Sequence, residues 1–383
     1  MGKIEPELIK IMTLLPHTFL VGGYVRDWLL GITCHDFDMA TALLPEESIP
    51  LLKKAGYRII PTGLAHGTIT VLLPDKRTIE LTTFRKDTRT DGRRATVCFD
   101  ADIKTDALRR DFTINALYMT PAGQILDFTD GQTDLIRGKI RFIGNAEKRI
   151  SEDYLRILRF FRFYGRFGKG KPNKEALNAC QKHKKGLNFL STERKKEELF
   201  KILSLPHPGK VLTLMKQTGV LDELIFTHSD FYELNGLPPN PLLRLWFLCR
   251  DKEQNLRQIL KLSKKETDFL QKLTVAVAFP LTTLAQRKEV AYRFGNEIYK
   301  ACLSLRKKKA HPFKMPVFPI TASDIMTLFP LSGPQIGEAL KKTETIWIKK
   351  NFPSKKQLVL DELRDILNKK ESNYEKRIRS FHD

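Results

Sequence analysis

The sequence predicts an α/β domain of roughly 140 residues followed by a region built only from helices. Up to residue 143, short apolar runs of strand character alternate with helical segments, in the order helix, strand, helix and further strands. Beyond residue 208, leucines recur at helical spacing and no β-branched run interrupts them. A chain of 383 residues is long enough for two or three domains with separate cores.

A glycine turn after the first predicted strand is the first candidate site. The apolar run over 19–21 ends at Gly22 and Gly23, which let the backbone turn tightly and approach a ligand. A helix is predicted directly after them, and the free N–H groups of a helix start favour a bound anion. Arg26 stands in this first turn, where the helix dipole does not favour a cation, so a bound polyphosphate would explain it.

An aspartate pair, Asp36-Phe37-Asp38, follows the glycine turn. If this segment is a strand, alternate residues point to the same side, so both carboxylates face one point. Carboxylate oxygens so placed are hard ligands for Mg²⁺, and two such ions assist an in-line displacement at phosphorus. Each motif alone also occurs in turns, caps and solvated edges, but the two together, in this order, indicate phosphate chemistry.

These residues resemble the nucleotidyltransferase head of the class II tRNA nucleotidyltransferase and poly(A) polymerase family, which includes the CCA-adding enzymes. The matching runs are Gly22-Gly23-Tyr24-Val25-Arg26-Asp27 and His35-Asp36-Phe37-Asp38. The resemblance implies a polymerase-β-like α/β nucleotidyltransferase head at 1–140, then an all-α neck at 141–207 with a nucleotide-selecting helix, a body at 208–310 and a tRNA-binding tail at 311–383. It also implies that Asp36 and Asp38 are catalytic and hold Mg²⁺.

The charge of the chain indicates a polyanionic partner. Lys and Arg number 66 against 44 Asp and Glu, which gives a net charge of +22. A generally basic proteome or an organellar milieu is the alternative explanation. Five widely spaced cysteines without a CxxC pair argue against a zinc ribbon or a disulfide framework. With no apolar leader and no run of membrane-spanning length, we expect a cytoplasmic protein with no membrane partner.

Two features of the later head are open to two interpretations each. Glu80 is an acidic residue in an apolar strand; it is either a third carboxylate beside the aspartate pair or an edge glutamate facing water. The segment 87–94 has no apolar periodicity and is interpreted as a mobile charged loop. In the family, a flexible loop here is tied to addition of the terminal adenosine, although an ordinary solvated loop would look the same.

Arg109-Arg110-Asp111, followed by Asn115-Ala116, looks like a further motif of the family. The resemblance implies that Gly23, Arg26 and Arg110 bind the triphosphate. A carboxylate and an amide from this segment would hold the cation in place.

The segment Glu152-Asp153-Tyr154-Leu155-Arg156-Ile157-Leu158-Arg159-Phe160-Phe161-Arg162-Phe163 matches the family pattern Glu-Asp-x-x-Arg-x-x-Arg-x-x-Arg-Phe throughout. Its helical spacing predicts that Asp153, Arg156 and Arg159 lie along one helix face. For a generic helix, this arrangement would be a solvated stripe with an ion pair. The family pattern implies that Asp153, Arg156, Arg159 and Arg162 bind the nucleotide.

An aspartate and an arginine side by side can select bases without a nucleic-acid template. Cytosine and adenine each present an exocyclic amino donor beside an unprotonated ring nitrogen, which Asp153 and Arg156 complement. Guanine and uracil place a keto oxygen where the carboxylate needs a donor. An unpaired or repelled buried polar group costs a few kcal/mol, or about two decades of discrimination.

The helical remainder carries fewer signals. The segment 190–194 carries a Ser-Thr capping signal, and the run 197–203 after it continues to Pro206 and Pro208. A helix is predicted over 286–305, and Gly333-Pro334 starts another near the C-terminus. That last helix start either meets an RNA phosphate or simply packs. Six lysines between 341 and 356 favour a phosphate-facing surface.

The resemblance implies a template-independent tRNA nucleotidyltransferase that adds CCA to the tRNA 3′ end from CTP and ATP and releases pyrophosphate. Relatives that share the head motifs leave an A-adding enzyme or a poly(A) polymerase as alternatives. The intact loop at 87–94 and the Gly-Leu-Ala-His-Gly-Thr stretch at 63–68 favour the tRNA enzymes. An RNA-binding protein with an inactive head would share the charge and the helical tail. Whether the chain is a monomer or a dimer stays open.

Overall fold

The structure, a computed structural model, describes residues 4–34, 36–90, 95–99, 101–227, 230–250, 255–309 and 312–365. Of residues 87–90 and 95–97 it describes the backbone alone. The chain divides into two compact units, Met1–Ser263 and Lys264–Asp383. This division falls inside the predicted body at 208–310, and the finer domain boundaries stay a prediction.

The α/β part contains five helices and nine strands among its described residues. In chain order they are α1 (Pro6–Leu14), β1 (Thr18–Val21), α2 (Gly23–Leu29), β2 (Phe37–Thr41), α3 (Pro45–Lys54), β3 (Arg58–Gly63), β4 (Thr68–Leu72), β5 (Thr78–Thr83), β6 (Lys86–Thr90), β7 (Ala95–Cys98), α4 (Ile103–Leu108), β8 (Leu117–Met119), β9 (Ile125–Asp127) and α5 (Gly131–Arg137). The predicted α/β head is confirmed.

Seven of these strands form one mixed sheet in the order β3-β4-β5-β2-β1-β8-β9. Only β2 and β5 are parallel, and the other neighbours are antiparallel. Strand β2 is the central strand, because it is the fourth of the seven in this order. Its alternate residues are buried against the core, as at Phe37 and Met39. The residues between them point to the opposite side, so the position of Asp38 is fixed by the packing of its neighbours.

The prediction of a mobile charged loop at 87–94 is wrong in part. Strands β6 and β7 pair antiparallel as a separate two-stranded ribbon, and residues 91–94 lie outside the described part of the chain. A two-stranded antiparallel ribbon is held by backbone hydrogen bonds, which do not depend on the side-chain pattern, so it needs no apolar alternation in its sequence. The absence of periodicity therefore did not exclude strands here.

The rest of the first unit is helical. It contains α6 (Ala146–Glu152), α7 (Leu155–Phe167), α8 (Lys174–His183), α9 (Thr192–Leu203), α10 (Gly209–Gln217), α11 (Pro241–Cys249) and α12 (Leu256–Ile259). Phenylalanines on one side of α7 pack against the head: the Phe112 ring lies 5.4 Å from Phe163 and 6.5 Å from Phe160, centroid to centroid. This contact fixes α7 beside the segment that follows α4.

The second unit contains α13 (Lys264–Ala276), α14 (Leu284–Phe294), α15 (Asn296–Leu305), α16 (Ala322–Leu328) and α17 (Pro334–Lys349). The single helix predicted over 286–305 is divided at Gly295, whose φ of 90° belongs to neither helix. The core of the last helices surrounds Trp347, whose indole N–H donates to the Pro353 carbonyl at 2.9 Å. Across the residues described, no helix is both long and apolar enough to cross a membrane.

Candidate active site

One cavity of about 1270 Å³ lies among the glycine turn, the start of β2, the segment after α4, and helices α7 and α9. All nine residues singled out from the sequence line it. They are Gly23, Arg26, Asp36, Asp38, Arg110, Asp153, Arg156, Arg159 and Arg162. The structure thus brings together motifs that are up to 139 residues apart, as in the ion pair between Asp27 and Arg166. What each residue does in the cavity stays a prediction.

The aspartate pair occupies the start of the central strand. Asp36 is exposed and directly precedes β2, whereas Asp38 is half-buried within it, so the two carboxylates lie on the same side. Glu80 of β5 stands beside Asp38 across the parallel pair. Burial raises the pKa of Asp38, and the charge of Glu80 raises it further. The site therefore holds negative charge that lacks full compensation.

These carboxylates fit a divalent cation such as Mg²⁺. Mg²⁺ prefers oxygen ligands and is usually held by one or two carboxylates together with substrate phosphates. Within the described residues, no cluster of three or more His, Cys, Asp or Glu side chains forms a complete metal cage. Asp36 and Asp38 can supply the one or two carboxylates that Mg²⁺ requires, and a cation would relieve their mutual repulsion. The remaining coordination positions of the ion are then left to a phosphate group.

The glycine turn is held from both sides. Gly22 has a φ of 67°, which favours glycine, and its N–H donates to the Leu117 carbonyl at 3.0 Å. Arg26 is buried: it donates to Asn115 Oδ1 at 2.6 Å and to Asp27 Oδ1 at 2.8 Å. Its guanidinium also lies 4.5 Å from the centre of the Phe167 ring. Arg26 is thus already engaged by protein groups and fixes the start of α2 against α7.

The two arginines after α4 share one buried carboxylate. Arg109 donates to Asp106 Oδ1 at 2.6 Å, and Arg110 donates to Asp106 Oδ2 at 3.0 Å. The Tyr118 hydroxyl donates to Asp106 Oδ2 at 2.5 Å and accepts from Arg110 Nε at 3.0 Å. This network holds both guanidinium groups at the cavity wall, so little side-chain entropy remains to be lost when an anion binds.

Asp111 connects the head to α7. Its carboxylate accepts from Arg159 Nε at 2.6 Å and from Asn115 Nδ2 at 3.1 Å. Burial alone would raise the pKa of Asp111, but the Arg159 charge and these hydrogen bonds together lower it to about 2. The Asp111 carboxylate, itself held by the Asn115 amide, thus positions Arg159 of α7.

The predicted continuous helix through Asp153 is wrong. Asp153 has an extended backbone with φ −155° and separates α6 from α7. Its Oδ1 accepts from the N–H of Leu155, the first residue of α7, at 3.1 Å, and its Oδ2 accepts from Arg194 at 2.8 Å. Aspartate can bond to nearby backbone N–H groups and so interrupt a helix that the apolar spacing favours. Asp153 and Arg156 therefore do not share a helix face, although both line the cavity.

Each remaining arginine of α7 has a carboxylate partner. Arg156 donates to Glu152 Oε2 and Arg162 to Glu198 Oε2, each at 2.6 Å. Glu198 and Arg194 belong to α9 and were not among the predicted site residues. Arg194 lies in the segment interpreted as a capping signal; Ser191 is the N-cap of α9, as that signal indicates, although its side chain makes no capping bond. In the sequence, the available sign of these two residues was an arginine four residues before a glutamate.

Two families of known domains match the chain. The family described as Poly A polymerase head domain matches residues 18–141. The family described as probable RNA and SrmB-binding site of polymerase A matches residues 171–228.

Similar proteins cover nearly the whole chain. CCA tRNA nucleotidyltransferase 1, mitochondrial, of Mus musculus is 34% identical over 370 residues, which cover 89% of this chain and 85% of the relative. The CCA-adding enzyme of Streptococcus uberis is 32% identical over 89% of this chain and 91% of the relative. The crystal structure of the Bacillus stearothermophilus CCA-adding enzyme in complex with CTP has a TM-score of 0.77 at 27% identity, over 97% of this chain and all of that one. The chain therefore belongs to the CCA tRNA nucleotidyltransferase family.

Proposed function

We propose that the cavity performs template-independent addition of CCA to the 3′ end of tRNA from CTP and ATP. The observation that carries this proposal is the presence, in one cavity, of an aspartate pair suited to a metal ion and of Asp153 and Arg156, whose acceptor and donor groups complement cytosine and adenine. The tRNA 3′-hydroxyl oxygen bonds to the α-phosphorus of the nucleotide, the bond from that phosphorus to the bridging oxygen breaks, and pyrophosphate leaves.

In this proposal, Asp36 and Asp38 hold Mg²⁺. The ion, when bound, lowers the pKa of the attacking hydroxyl and stabilises charge on the leaving oxygen. The protein contributes the carboxylate placement: the central strand fixes Asp38, and the raised pKa of Asp38 reflects the burial and repulsion that cation binding relieves. Chelation of divalent cations should abolish incorporation, and added Mg²⁺ should restore it.

The triphosphate lies along the glycine turn. Gly23 begins α2, so the backbone N–H groups of the first turn face the phosphates. Arg110, held by Asp106 and Tyr118, contributes a preformed cation at the wall. Arg26 contributes positive charge and, through Asp27 and Asn115, keeps the turn in place.

The base is read at the other end of the cavity. Asp153 accepts from the exocyclic amino group of cytosine or adenine, and Arg156 donates to the adjacent ring nitrogen. Arg159 and Arg162 support this pair from α7. To reach the base, Asp153 exchanges its bond with Arg194, and Arg156 its bond with Glu152, for bonds to the nucleotide.

The first experiment is an incorporation assay with three tRNA transcripts, ending before CCA, after C and after CC. Each receives CTP, ATP or both. Full CCA on the first transcript, stopping there, supports the proposal. Addition of A to the third transcript alone would instead identify an A-adding enzyme, and long A tails on any RNA a poly(A) polymerase.

Replacement of the aspartate pair separates catalysis from binding. Asp36→Asn with Asp38→Asn should abolish incorporation while tRNA binding persists, because the carboxylates act on the reacting phosphate and not on the RNA backbone. Asp130→Asn is the matched control: this aspartate is 84% exposed in the same domain, and asparagine tolerates its φ of 61°. If the wild-type protein bound tRNA as well as the double variant does but incorporated no nucleotide, this result would favour the alternative of an RNA-binding protein with an inactive head.

We propose that the protein is located in the cytoplasm. This proposal is based on the sequence, whose five widely spaced cysteines include no CxxC pair and indicate a reducing compartment. The name of the mouse relative places that protein in mitochondria. Cell fractionation with antibodies to the native chain distinguishes the two compartments.

A further inference from the structure

One wall of the cavity has no role in the reaction as described above. It consists of the C-terminal half of α9 and the turn that follows, and it presents an aromatic ring, an ammonium, a hydroxyl and an imidazole. These belong to Phe200, Lys201, Ser204 and His207. The metal-binding aspartates and the base-reading Asp153 belong to other elements that line the same cavity.

The cavity is larger than a single nucleotide needs. Small-molecule sites generally enclose roughly 300–1,000 Å³. This cavity measures about 1270 Å³, so a nucleoside triphosphate between the glycine turn and Asp153 leaves space against the α9 wall. The reaction requires a second substrate whose hydroxyl reaches the same phosphate, and that substrate must enter this space.

The wall is rigidly supported from behind. Leu199 and Ile202 of α9 are fully buried. Arg244, itself 1% exposed, donates to the carbonyl of Leu203 at 2.6 Å and to that of Leu205, which holds the turn. Phe200 is half-buried on a fixed backbone; the Lys196 ammonium lies 5.7 Å from the centre of its ring, and part of the ring remains accessible.

The wall is also connected to the base-reading arginines. Glu198 is buried, and its two carboxylate oxygens have different partners: Oε2 accepts from Arg162 at 2.6 Å and Oε1 from Lys201 at 3.3 Å. The side chain of Lys201 is 54% exposed. One buried carboxylate thus orients both Arg162 of α7 and a cation on the α9 wall.

We infer that the α9 wall holds the single-stranded 3′ end of the RNA substrate. The ring of Phe200 stacks on the terminal base, and Lys201 and His207 contact the backbone phosphates next to it. This inference rests on the proposed function. The terminal base of the growing RNA changes as each nucleotide is added, so its seat must accept different bases. An aromatic face does so because every base has a π-face, whereas a hydrogen-bonding site would reject some of them.

The test compares the KM for a tRNA transcript ending in C with the KM for CTP. Phe200→Ala should raise the KM for tRNA by between about fivefold and a hundredfold, as expected for loss of one stacked base, and change the KM for CTP less than twofold. Phe200→Leu keeps an apolar side chain on the helix and should show the same increase in the KM for tRNA. Phe200→Tyr keeps the aromatic ring and should retain the wild-type KM. Phe226→Ala, which removes a phenylalanine 63% exposed outside the cavity lining, should leave both constants unchanged.

The lysine is tested by salt dependence. Lys201→Met should weaken tRNA binding and reduce the slope of log affinity against log salt by about 0.7 to 0.9, the value for one phosphate contact. Lys182→Met removes another exposed lysine, paired with Glu147 at 2.7 Å outside the cavity lining, and should leave the slope unchanged.

Two results overturn the inference. One is an unchanged KM for tRNA in both Phe200→Ala and Phe200→Leu; the other is a KM for CTP that rises as much as that for tRNA, which would assign the wall to the nucleotide. Failure of the proposed function is distinguishable, because the wild-type protein would then not add full CCA to the transcript that ends before CCA.

Discussion

Asp153 combines two tasks in one carboxylate, because one oxygen accepts from the Leu155 N–H at the start of α7 while the other accepts from Arg194. Asp153→Asn keeps an oxygen for the Leu155 N–H but loses the charge and gains a donor. We expect the variant to fold normally and to discriminate CTP from UTP about a hundredfold less well than wild type. Competitive incorporation with mixed nucleotides measures this ratio.

The matched control for that substitution is Asp102→Asn. Asp102 caps α4 by accepting from the Thr105 N–H at 2.7 Å, and it lies outside the cavity lining. The control variant should keep wild-type discrimination. Unaltered discrimination in Asp153→Asn would remove this residue from base reading.

The buried pair of Asp111 and Arg159 predicts a pH dependence of stability. The pKa of Asp111 is about 2 in the folded chain, below that of an unfolded aspartate. The stabilisation is therefore complete above about pH 4 and is lost as the pH falls through about 2. Asp111→Asn should lower the free energy of unfolding by about 2 kcal/mol at pH 7, and wild type and variant should converge toward pH 2. Urea unfolding at several pH values measures both curves; parallel curves would contradict the assigned pairing.

Single residues were predictable from the sequence where a motif names them by spacing, as for Asp36, Asp38 and Arg110. Their partners were not. Arg162 pairs with Glu198 at a separation of 36 residues, and no local pattern determines which of many glutamates meets an arginine after folding. The charged partners thus became visible only when α7 and α9 were packed together.

At the scale of elements, apolar periodicity predicted helices and strands but not their interruptions. The break at Asp153 depends on one side-chain hydrogen bond to the backbone, and the break at Gly295 depends on one positive φ. Each is a choice among local alternatives of similar free energy. The ribbon of β6 and β7 was missed because the backbone hydrogen bonds that pair its strands require no apolar pattern in the sequence.

Arg244 is the residue on which the end of α9 depends. Its side chain lies in the interior, where burial lowers its pKa, and it donates to backbone carbonyls that include those of Leu203 and Leu237, each at 2.6 Å. Arg244→Met would leave these carbonyls without their donor, so we expect the free energy of unfolding to fall by about 3 kcal/mol. Arg244→Lys should rescue only in part, because an ammonium lacks the planar fork.

The control for this substitution is Arg257→Met, at an exposed arginine of α12, which should change the free energy of unfolding by less than about 0.5 kcal/mol. Denaturant titrations of the three variants measure the differences. Equal effects at residues 244 and 257 would show that the carbonyl contacts do not stabilise the fold.

For the whole molecule, the excess of positive charge predicts how binding responds to salt. The net charge of +22 should attract tRNA through its phosphates, and each neutralised phosphate contributes a slope of about −0.7 to −0.9 in log affinity against log salt. Titrations at increasing KCl concentrations should therefore give a slope of several units. A flat response would mean that the basic surface does not face the RNA.

The fold class was accessible from the sequence because it depends on averages over many residues. Strand character in the first part and helical spacing in the rest each extend over long segments, so single exceptions such as Gly295 do not change the class. The division after Ser263 could not be predicted, because it depends on which helices pack together. Helical periodicity identifies the face that is buried but not the partner that buries it.

The ion pairs in the cavity have a consequence for accuracy. Arg156, Arg159, Arg162 and Asp153 each already have an oppositely charged partner within 2.8 Å. A nucleotide is thus a competitor of the protein's own side chains, and it must match at least the interactions that it displaces. If these groups read the base as proposed, the ion pairs set the minimum strength that the contacts of an incoming base must exceed. A base that bonds to only one of the groups would then be displaced as the ion pairs re-form.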